Sequence, residues 1–508
     1  MALRHTRRNR LLLYVTILFG LYVGFVSIAS RRISSTRPWD EPNEYSPSEV
    51  VYEARADNGK HSPDSAMAGR SPGNASTSRS DTFTHGTIAI SNSLVNSPGV
   101  AQQTERAVAG TSRALATSKE VVGSTRGVLA QSQTSPPSQD ATLLETYSVS
   151  KLEEYVRNNN EAQTIYNEQR FPISPEDRKA QLVVVIQVHD RYRFLRHTLE
   201  NLGKARNVES ILLVISADYV SSELVSIVQG VLFCQAMLVL SPHTIQLHPS
   251  SFPGTDPKDC PARITRDQAV NSGCLNAQHP DMYGHYREAA FSAIKLHWWW
   301  KASFVFDKIR ALHDHTGWVL MLEEDHLVSP DFVVVIGLLD TLVRKERPYV
   351  DVINIGRQKP TGLFPGNGFT EEDWFSVFNN MGFALRKPAW ETLRNCSKTF
   401  CDYDDYNWDW TFQMTPWLCK QYKWKTLAMV MPRVYHIGTC GIHQKKGQCK
   451  PDEESAKVLN IFKTRSTELF PTRLEWSGST RQRTITPKKP NGGWGDVRDH
   501  NLCMSIVS

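Results

Sequence analysis

Three consecutive carboxylates end an apolar run in the middle of the chain. Residues 317–326 read GWVLMLEEDH, so Glu323, Glu324 and Asp325 directly follow residues of the kind that form buried strands. Repulsion among three adjacent acids raises the pKa of at least one of them unless a positive charge lies nearby. Carboxylates are preferred ligands of Mg²⁺ and Mn²⁺, which often bridge proteins to substrate phosphates. The motif therefore predicts a metal site, although acids after a strand can also cap a helix or remain solvated.

A second acidic cluster, CDYDDYNWDW at residues 401–410, alternates acids with aromatic residues. Its aspartates are Asp402, Asp404, Asp405 and Asp409. A calcium loop or a surface turn is an alternative, but a calcium loop needs a glycine at its sharp bend and none is present. Aromatic rings stack on apolar sugar faces and acids bond sugar hydroxyls, so the cluster predicts a carbohydrate site. One of its carboxylates could take a proton from a reacting hydroxyl.

Three apolar runs in the first part of the globular region predict strands. They are QLVVVIQVHD (181–190), SILLVISAD (210–218) and AMLVLSP (236–242), and segments of helical spacing separate them. Strand, helix, strand, helix, strand predicts an α/β fold with a Rossmann-like, mostly parallel sheet. Ligands bind beyond the carboxyl ends of such strands. The residues after each strand are therefore predicted to meet at one edge of the sheet.

Two further segments are predicted to be helical. Residues 151–180 are polar with helical character and should lead into the domain. Residues 285–315 contain neither Gly nor Pro and predict one long helix that ends just before the strand at 317–321. Long periodic segments without helix breakers favour continuous helices.

The first 150 residues predict a membrane-anchored layout. Residues 1–10 contain four arginines and residues 11–30 contain no charge. About 20 helical residues at ~1.5 Å each span a hydrocarbon core of roughly 30 Å, which favours a transmembrane signal-anchor with a cytosolic tail at 1–10. A cleaved signal peptide is the alternative, with a shorter apolar run. Residues 31–150 are rich in Ser, Thr, Pro and Gly and predict a disordered lumenal stem with a glycosylation acceptor at Asn74.

The remaining residues, 151–508, are predicted to form a lumenal globular domain, and anchor, stem and domain together have the layout of a Golgi or ER resident enzyme. All nine cysteines lie beyond residue 233, which is typical of a disulfide-stapled domain in an oxidising compartment. The odd number leaves at least one unpaired, and no Cys-x-x-Cys occurs to indicate zinc or redox chemistry. A net charge of +6, spread over 508 residues, gives no indication of nucleic-acid binding.

Six longer strings occur in one order and make a family resemblance specific. They are QVHDR (187–191), FPGTDPKDCP (252–261), GHYREAAFSAIKLHWWWK (284–301), LEEDHLVSPDF (322–332), YDDYNWDW (403–410) and NGGWGDVRDH (491–500). Together with the acidic strand end, they resemble the metal-dependent glycosyltransferases of the GT-A fold, and among these the N-acetylglucosaminyltransferase II family. The resemblance covers roughly residues 170–505. Residues 357–374 depart from the family's pattern, so no contact of that loop is carried over.

The resemblance implies a role for each candidate site residue. Asp325 and His436 would bind Mn²⁺, and Asp409 would be the catalytic base. The segment around 380–443 would hold the acceptor, with supporting contacts from Asn380 and Trp408. Glu323 and Glu324 would orient the metal's waters or the donor sugar. The other donor-binding positions would be Gln187, Val188, His189, Asp190, Arg191, Asp218, Ala293, Ile294, Lys295, Leu296 and His297. Four disulfides are also implied, Cys260–Cys274, Cys396–Cys419, Cys401–Cys503 and Cys440–Cys449, with Cys234 free; cysteine spacing alone leaves the pairing open.

The implied reaction is an inverting transfer of N-acetylglucosamine from UDP-GlcNAc. The product would be a β-1,2 linkage to the α-1,6-arm mannose of N-glycan cores on glycoproteins, which commits them to the complex type. The protein would be a single-pass type II Golgi membrane protein, and a homodimer is compatible with the resemblance. A sister transferase that acts on the α-1,3 arm would share the donor chemistry. An inactive lumenal lectin is a third reading, although a lectin needs no base beside a metal.

Overall fold

The computed structural model describes residues 144–357, 366–440, 449–478 and 489–508. Its helices are α1 (Val149–Ala162), α2 (Pro175–Ala180), α3 (Tyr192–Leu202), α4 (Ser222–Gln229), α5 (Arg266–Ser272), α6 (Ala289–Ser303), α7 (Phe332–Glu346), α8 (Ser376–Asn379), α9 (Lys387–Asn395), α10 (Ser397–Asp402), α11 (Trp408–Lys420), α12 (Pro451–Thr464) and α13 (Val497–Ile506). Its strands are β1 (Val183–Val188), β2 (Leu212–Ala217), β3 (Gln235–Leu240), β4 (Val319–Glu323), β5 (His326–Val328), β6 (Val352–Asn354), β7 (Gly368–Asp373), β8 (Phe383–Leu385), β9 (Lys425–Met429), β10 (Val434–His436) and β11 (Glu475–Trp476).

Nine of these strands form one mixed sheet in the order β11-β7-β9-β6-β8-β4-β1-β2-β3. The three predicted strands β1, β2 and β3 pair in parallel, and β4 joins β1 in parallel on the other side. The β6–β9 and β7–β11 pairs are also parallel, whereas β8 runs antiparallel to β4 and β6, and β7 runs antiparallel to β9. β5 and β10 form a separate antiparallel ribbon. The prediction of an α/β fold with a mostly parallel sheet is confirmed.

Continuous apolar sequence in β1 follows from burial of both its faces. Val184 and Ile186 belong to one core cluster, with residues of α3, α4 and α7. Val183 and Val185 point to the opposite face and belong to a second cluster, rich in tryptophan and phenylalanine from α6 and α11. Successive side chains of a strand alternate between faces. A strand covered by helices on both sides is therefore apolar at nearly every position, and the one polar residue of β1, Gln187, lies near its end.

The segment predicted as one long helix, residues 285–315, is broken. α6 begins at Ala289, continues as a π-helical turn at Phe304–Lys308 and is followed by a 3₁₀ turn at Arg310–Leu312. Before α6, the buried guanidinium of Arg287 donates to Asp499 at 2.8 Å and to the carbonyl oxygen of Gly254 at 3.0 Å. These tertiary contacts hold residue 287 outside the helix and override its local preference.

The predicted helical lead-in at residues 151–180 is confirmed only at its two ends, α1 and α2. Gln163, in the left-handed region at φ 50°, ends α1. The side chain of Asn167, also left-handed, donates to the carbonyl oxygens of Val231 and Cys234 at 2.6 and 2.9 Å. Because this anchor ties the connection to the loop before β3, the residues between α1 and α2 do not form a helix.

The four disulfides implied by the resemblance are all present, and Cys234 is free and buried. The cytosolic tail, the anchor and residues 31–143 of the predicted stem lie outside the described residues. At the end of that predicted stem, Leu144 is only 2% exposed and α1 begins at Val149, so the folded domain includes residues 144–150. Among the residues that the model describes, none of the helices is long and apolar enough to cross a bilayer.

Candidate active site

The strand ends that the sequence singled out lie side by side. Gln187 of β1 is paired with Glu323, the last residue of β4, and the amide of Glu324 donates to the carbonyl oxygen of Gln187 at 3.0 Å. On the other side of β1, Gln187 is paired with Ser216 of β2, which places Asp218 just beyond that strand. The carboxyl ends of β1, β2 and β4 therefore share one edge, as predicted.

Arg191 supplies a positive charge beside the acid triplet. Its Nε donates to Glu324 Oε1 at 2.6 Å, and its Nη1 lies 2.7 Å from Asp325 Oδ2. The same Nη1 donates to the carbonyl oxygen of Cys440 at 3.0 Å. Charge-assisted contacts of this kind are among the stronger polar contacts in proteins. Arg191 thus joins β1 to the acids and to the Cys440–Cys449 loop, while its predicted contact with the donor stays a prediction.

Asp325 is the most deeply buried carboxylate of the triplet. It is 0% exposed, and neither of its oxygens accepts a hydrogen bond of good geometry, although Arg191 Nη1 lies close to Oδ2. His436 Nε2 lies 3.3 Å from Oδ2. Burial alone would raise the pKa of Asp325, but the neighbouring His436 and Arg191 hold it well below its usual range. A carboxylate that is ionised, buried and short of hydrogen-bond donors is well suited to act as a ligand of a cation.

Gly438 keeps space open beside this carboxylate. A Cβ built on Gly438 would lie 2.2 Å from Asp325 Oδ2 and 2.7 Å from His436 Nε2. Any larger residue would therefore occupy the gap between the carboxylate and the imidazole. The donor set and this gap fit a bound divalent cation.

Two histidines lie near the acids, and their ring nitrogens are not equivalent. Ligand atoms of Glu323, Asp325 and His326 lie within 4.8 Å of one another. However, His326 Nδ1 accepts a hydrogen bond from the amide of Glu323 at 3.0 Å, and burial lowers the pKa of His326 to about 3. A neutral ring that accepts through Nδ1 carries its proton on Nε2, so it has no lone pair left for a metal. Of the two rings, His436 is therefore the one better placed to offer a lone pair, and its role as a metal ligand stays a prediction.

A buried lysine supports the other end of the triplet. Lys301 of α6 is 1% exposed, and its Nζ donates to Gln187 Oε1 at 2.8 Å. Burial lowers the pKa of Lys301 to about 7, an effect that Glu323 opposes. Burial also raises the pKa of Glu324 to about 7 against the influence of Arg191, and it raises that of Glu323. The acid triplet therefore carries less negative charge than three free carboxylates.

Asp218 lies between two histidines at the end of β2. His189 Nδ1 is 2.7 Å from Asp218 Oδ1, and His297 Nδ1 is 3.5 Å from Oδ2. Burial would raise the pKa of Asp218, but the two imidazoles lower it well below the usual range. Hydrogen bonding to Asp218 raises the pKa of His189 to about 9. His297 Nε2 is 3.0 Å from Ser216 Oγ, so α6 is fixed to the end of β2.

The remaining predicted donor positions differ in their exposure and in the direction of their side chains. Val188 and Leu296 are core residues, and Asp190 is exposed, with its carboxylate 3.9 Å from His189 Nε2. Ala293 and Ile294 are half-buried. The ammonium of Lys295 points away from the acid triplet, to the loop before α11. Donor binding by these positions stays a prediction.

Asp409 lies in the first turn of α11 and is half-buried. Its Oδ2 accepts hydrogen bonds from Ser376 Oγ at 2.7 Å and from Asn380 Nδ2 at 3.0 Å, and its Oδ1 accepts from the amide of Trp410 at 2.9 Å. The amide of Ser376 donates to Gln413 Oε1 at 2.8 Å, one turn further along α11. Helix α8 is therefore attached to α11 at two levels, and the carboxylate is held in one orientation.

The register of β8 relates Asp409 to the acid triplet. Phe383 of β8 is paired with Met321 of β4 in antiparallel orientation. Since Glu323 ends β4 two residues after Met321, the residues just before β8 lie at the same edge of the sheet. Asn380 is one of them, and it bonds Asp409. The predicted base and the predicted metal ligands therefore lie at one edge.

The other acids of the 401–410 cluster have structural contacts. Asp404 accepts from the amides of Met282 and Trp494 at 2.6 and 3.0 Å. Asp405 accepts from the amides and side chains of Asn407 and Asn491. Trp408, expected to support the acceptor, is only 7% exposed and stacks on Trp298 with ring centroids 4.8 Å apart. Any support that Trp408 gives to acceptor binding is therefore indirect, through its packing in the aromatic core.

Four residues of this region were missed by reasoning from sequence: Ser376, Gln413, Gly438 and Lys301. Ser376 contacts α11 from a separate part of the chain, whereas Gln413 lies on α11 itself, and no spacing rule links the two. Gly438 follows the predicted ligand His436 by two residues, and glycine beside a ligand could have indicated a close approach. Lys301, in an apolar helical segment, could have been recognised as a buried lysine that needs a partner.

Comparison with known proteins places this site in a family. The model of the N-acetylglucosaminyltransferase II family (MGAT2) matches residues 153–503. Proteins of Rattus norvegicus and Homo sapiens, each named alpha-1,6-mannosyl-glycoprotein 2-beta-N-acetylglucosaminyltransferase, are 42% identical to this chain over 327 residues, which is 64% of this chain and 74% and 73% of theirs. A protein of the same name from Arabidopsis thaliana is 29% identical over 345 residues, 67% of this chain and 77% of its own length. This chain belongs to the N-acetylglucosaminyltransferase II family of glycosyltransferases.

Proposed function

We propose that this protein transfers N-acetylglucosamine from UDP-GlcNAc to the α-1,6-arm mannose of N-glycan cores, with inversion, to give a β-1,2 linkage. Membership of the family and the names of its relatives support the substrates. The observation that carries the chemistry is the placement of Asp409, through Asn380, at the sheet edge that holds Asp325. The architecture then corresponds to the GT-A fold, with a nucleotide end at β1, β2 and β4.

Asp409 is the general base of this reaction. Transfer from an α-linked nucleotide sugar to a β-linked product requires attack from the face opposite the leaving group, so the acceptor hydroxyl must lose its proton as the new bond forms. The bonds from Ser376 and Asn380 hold Asp409 Oδ2 in place. Asp409 Oδ1, with one amide donor, keeps a lone pair with which to accept that proton.

Asp325 and His436 would hold Mn²⁺ beside the donor. When bound, this ion neutralises the charge that develops on the diphosphate leaving group, which removes the need for a general acid. Glu323 and Glu324 would orient the metal's waters or the donor sugar, and Arg191 holds Asp325 and Glu324 in register with β1. The buried oxygens of Asp325 and the gap at Gly438 support this assignment.

The donor nucleotide occupies the ends of β1 and β2. Gln187 lies near the end of β1, His189 and Asp190 follow that strand, and Asp218 follows β2. An acid at this position of a Rossmann-like sheet bonds ribose hydroxyls. The His189–Asp218 contact keeps that carboxylate ionised and oriented. His297 supports Asp218 from α6.

The proposed location of the protein is the Golgi membrane, as a single-pass type II protein. Support comes from the arginines at residues 1–10, the uncharged run at 11–30 and the disulfide-rich domain. Glycoproteins that carry N-glycans are the acceptors in that compartment. A homodimer is proposed as well, and sedimentation velocity of the detergent-solubilised chain measures it.

The decisive experiment compares two acceptors with the detergent-solubilised full chain, UDP-GlcNAc and Mn²⁺. One glycan carries a free α-1,6-arm mannose with the α-1,3 arm already capped by GlcNAc; the other has both arms bare. Transfer to the first alone supports the proposal, because a sister enzyme of the α-1,3 arm would use the bare glycan. Full activity after exhaustive chelation would refute the role of the metal, and no transfer at all would favour a lectin.

Asp409→Asn tests the base. It should bind UDP with the affinity of the unsubstituted protein but lose turnover, since an amide cannot accept the proton. Asp402→Asn is the matched control, because Asp402 is exposed and pairs with Lys398 on the surface of α10. Substantial transfer by Asp409→Asn would show that another group is the base.

A further inference from the structure

Helix α6 presents two adjacent faces, and the first of them contacts the donor end of the sheet. His297 lies 3.0 Å from Ser216 and 3.5 Å from Asp218. Lys301, four residues later and on the same side of the helix, donates to Gln187 at 2.8 Å. This face therefore fixes α6 to the ends of β2 and β1.

The second face contacts the loop that leads into α11. Phe291, Lys295 and Trp298 are spaced i, i+4 and i+7, so they form one stripe along the helix. Phe291 packs on Tyr406 with ring centroids 4.9 Å apart, and Trp298 stacks on Trp408 at 4.8 Å. The stripe thus lies against residues 403–408, and Lys295 is its one polar member.

Lys295 is built into this contact rather than directed to a ligand. Its side chain is buried at 0% exposed, and Nζ donates to the carbonyl oxygens of Tyr403 and Asp405 at 3.0 Å each. The ring of Trp494 lies 4.3 Å from Nζ and that of Phe400 lies 5.2 Å away, close enough for cation–π attraction. Burial lowers the pKa of Lys295 to about 7, against the attraction of Asp405, and a neutral amine would still donate both hydrogen bonds.

The carbonyls that Lys295 binds lie directly before the base. Thr411 Oγ1 donates to the carbonyl oxygen of Asp405 at 3.3 Å and to that of Asn407, the residue at the N-cap of α11, at 2.9 Å. Asp409 follows two residues after Asn407. A displacement of the loop at residues 403–405 would therefore be transmitted to the first turn of α11, where the carboxylate of Asp409 is held.

We propose that Lys295 is a positioning residue for Asp409 and makes no contact with the donor: it fixes the loop before α11 to the helix that also supports the donor site. This inference rests on the proposed function. It assigns the sequence-predicted donor segment 293–297 two separate tasks, with His297 directed to the donor end and Lys295 to the base. Turnover should depend on Lys295, whereas affinity for UDP should not.

Lys295→Met in the full chain tests this by separating kcat from donor binding. Methionine keeps most of the side-chain volume but leaves two carbonyl oxygens without their donor. Because small misplacements of a reacting group cost up to about 100-fold in rate, kcat should fall by about tenfold or more. The Kd for UDP in the presence of Mn²⁺, measured by calorimetry, should stay within about twofold. Calorimetric stoichiometry corrects kcat for the folded fraction.

Lys295→Gln is the second variant, because a neutral amide can still donate to carbonyl oxygens. Its kcat should lie between those of the unsubstituted protein and Lys295→Met, with the same Kd for UDP. Asp218→Asn provides the opposite pattern, with UDP affinity lost. Lys308→Met, at an exposed lysine at the end of the π-helical turn, is the matched control and should change neither quantity.

The outcomes separate this inference from the proposed function. Loss of UDP affinity in the Lys295 variants would show that the ammonium binds the donor phosphates and would overturn the inference. Unchanged kcat in Lys295→Met would overturn it as well, while leaving the proposed function intact. Absence of transfer by the unsubstituted protein would refute the proposed function and this inference together.

Discussion

Replacement of Gly438 by alanine should close the gap that the candidate metal site requires. The added Cβ would lie 2.2 Å from Asp325 Oδ2, 2.7 Å from His436 Nε2 and 2.9 Å from His436 Cε1. Cβ atoms essentially never approach closer than 3.0 Å, so the carboxylate and the methyl group must separate by at least 0.8 Å. Asp325 is fully buried and cannot rotate into solvent. The clash must therefore be relieved by a shift of the Asp325 carboxylate within the core, accompanied by movement of the His436 imidazole or of the backbone at residue 438.

A displacement of this size exceeds what a metal site tolerates. Ligand distances in such sites vary by about 0.2 Å, so a shift several times larger removes a ligand from the coordination sphere. We expect the affinity for Mn²⁺ to fall by about 10- to 100-fold, the range found when supporting groups of metal sites are changed. The Mn²⁺ concentration that half-activates transfer should rise by the same factor, while saturating Mn²⁺ restores part of kcat.

Calorimetric titration of Mn²⁺ in the presence of UDP measures this affinity, and circular dichroism verifies the fold. Gly337→Ala is the matched control, because a Cβ at Gly337 in α7 meets nothing within 4 Å. That substitution should leave Mn²⁺ affinity unchanged and stabilise the fold by up to about 1 kcal/mol. A folded Gly438→Ala protein with Mn²⁺ affinity within about threefold of the original would refute a metal at Asp325 and His436.

Three further results are expected. Arg433→Leu should destabilise the domain by about 3–5 kcal/mol, measured by chemical denaturation, because it leaves the fully buried Asp331 without the guanidinium 3.0 Å away. Asp218 raises the pKa of His189 to about 9, so the protonated imidazole should stabilise the fold fully below pH 6.5 and lose this contribution as the pH rises through 9. Solvent screening keeps the effect small, because the imidazole is 58% exposed. Removal of the Cys440–Cys449 disulfide by double serine substitution should raise the Mn²⁺ concentration that half-activates transfer, with a smaller effect on the melting temperature. The reason is that the carbonyl oxygen of Cys440 holds Arg191.

Each of these has its own control. Arg344→Leu removes a partly exposed partner of Asp340 and should cost less than about 1 kcal/mol; an equal loss in both variants would contradict the argument from burial. Asp218→Asn should return the NMR titration midpoint of His189 towards 6.5, and a midpoint that stays near 9 would exclude this partner. Loss of the Cys396–Cys419 disulfide should leave the Mn²⁺ requirement unchanged.

Continuous apolar runs were enough to predict the three neighbouring parallel strands β1, β2 and β3, but not the parallel pairs β6–β9 and β7–β11. A strand buried on both faces is apolar at nearly every position, and these three strands, with one polar residue each, carry that pattern. β8 was not predictable in this way, because the three residues Phe383–Leu385 are too few to show a period. Its antiparallel insertion is nevertheless what brings Asn380 to the functional edge.

The acid triplet was recognisable from sequence, but its counter-charges were not. Three adjacent carboxylates after an apolar run required a positive charge on electrostatic grounds, and a metal was inferred. The structure adds Arg191, which the sequence had suggested as a donor contact, and Lys301. Only the fold brings a residue 132 positions earlier in the chain, Arg191, to Glu323 and its neighbours.

Roles that depend on the direction of a side chain were beyond sequence reasoning. Lys295 and His297 are two residues apart and were assigned to one donor segment. On a helix, residues two apart point in different directions, so the two side chains contact different parts of the domain. Trp408 likewise lies next to Asp409 in sequence but points into the aromatic core.

The disulfides are unevenly distributed, with consequences for producing the protein. Every pair lies beyond residue 259, and the stretch that forms β1 to β3 contains only the unpaired Cys234. Expression in a reducing cytosol would therefore remove no cross-link from β1 to β3, while it would deprive the helices around Asp409, α10, α11 and α13, of theirs. Such material is expected to be deficient in transfer activity, because the cross-link after His436 and those around Asp409 would be missing. Purification should accordingly be guided by transfer activity, and secretion through an oxidising pathway is the better route.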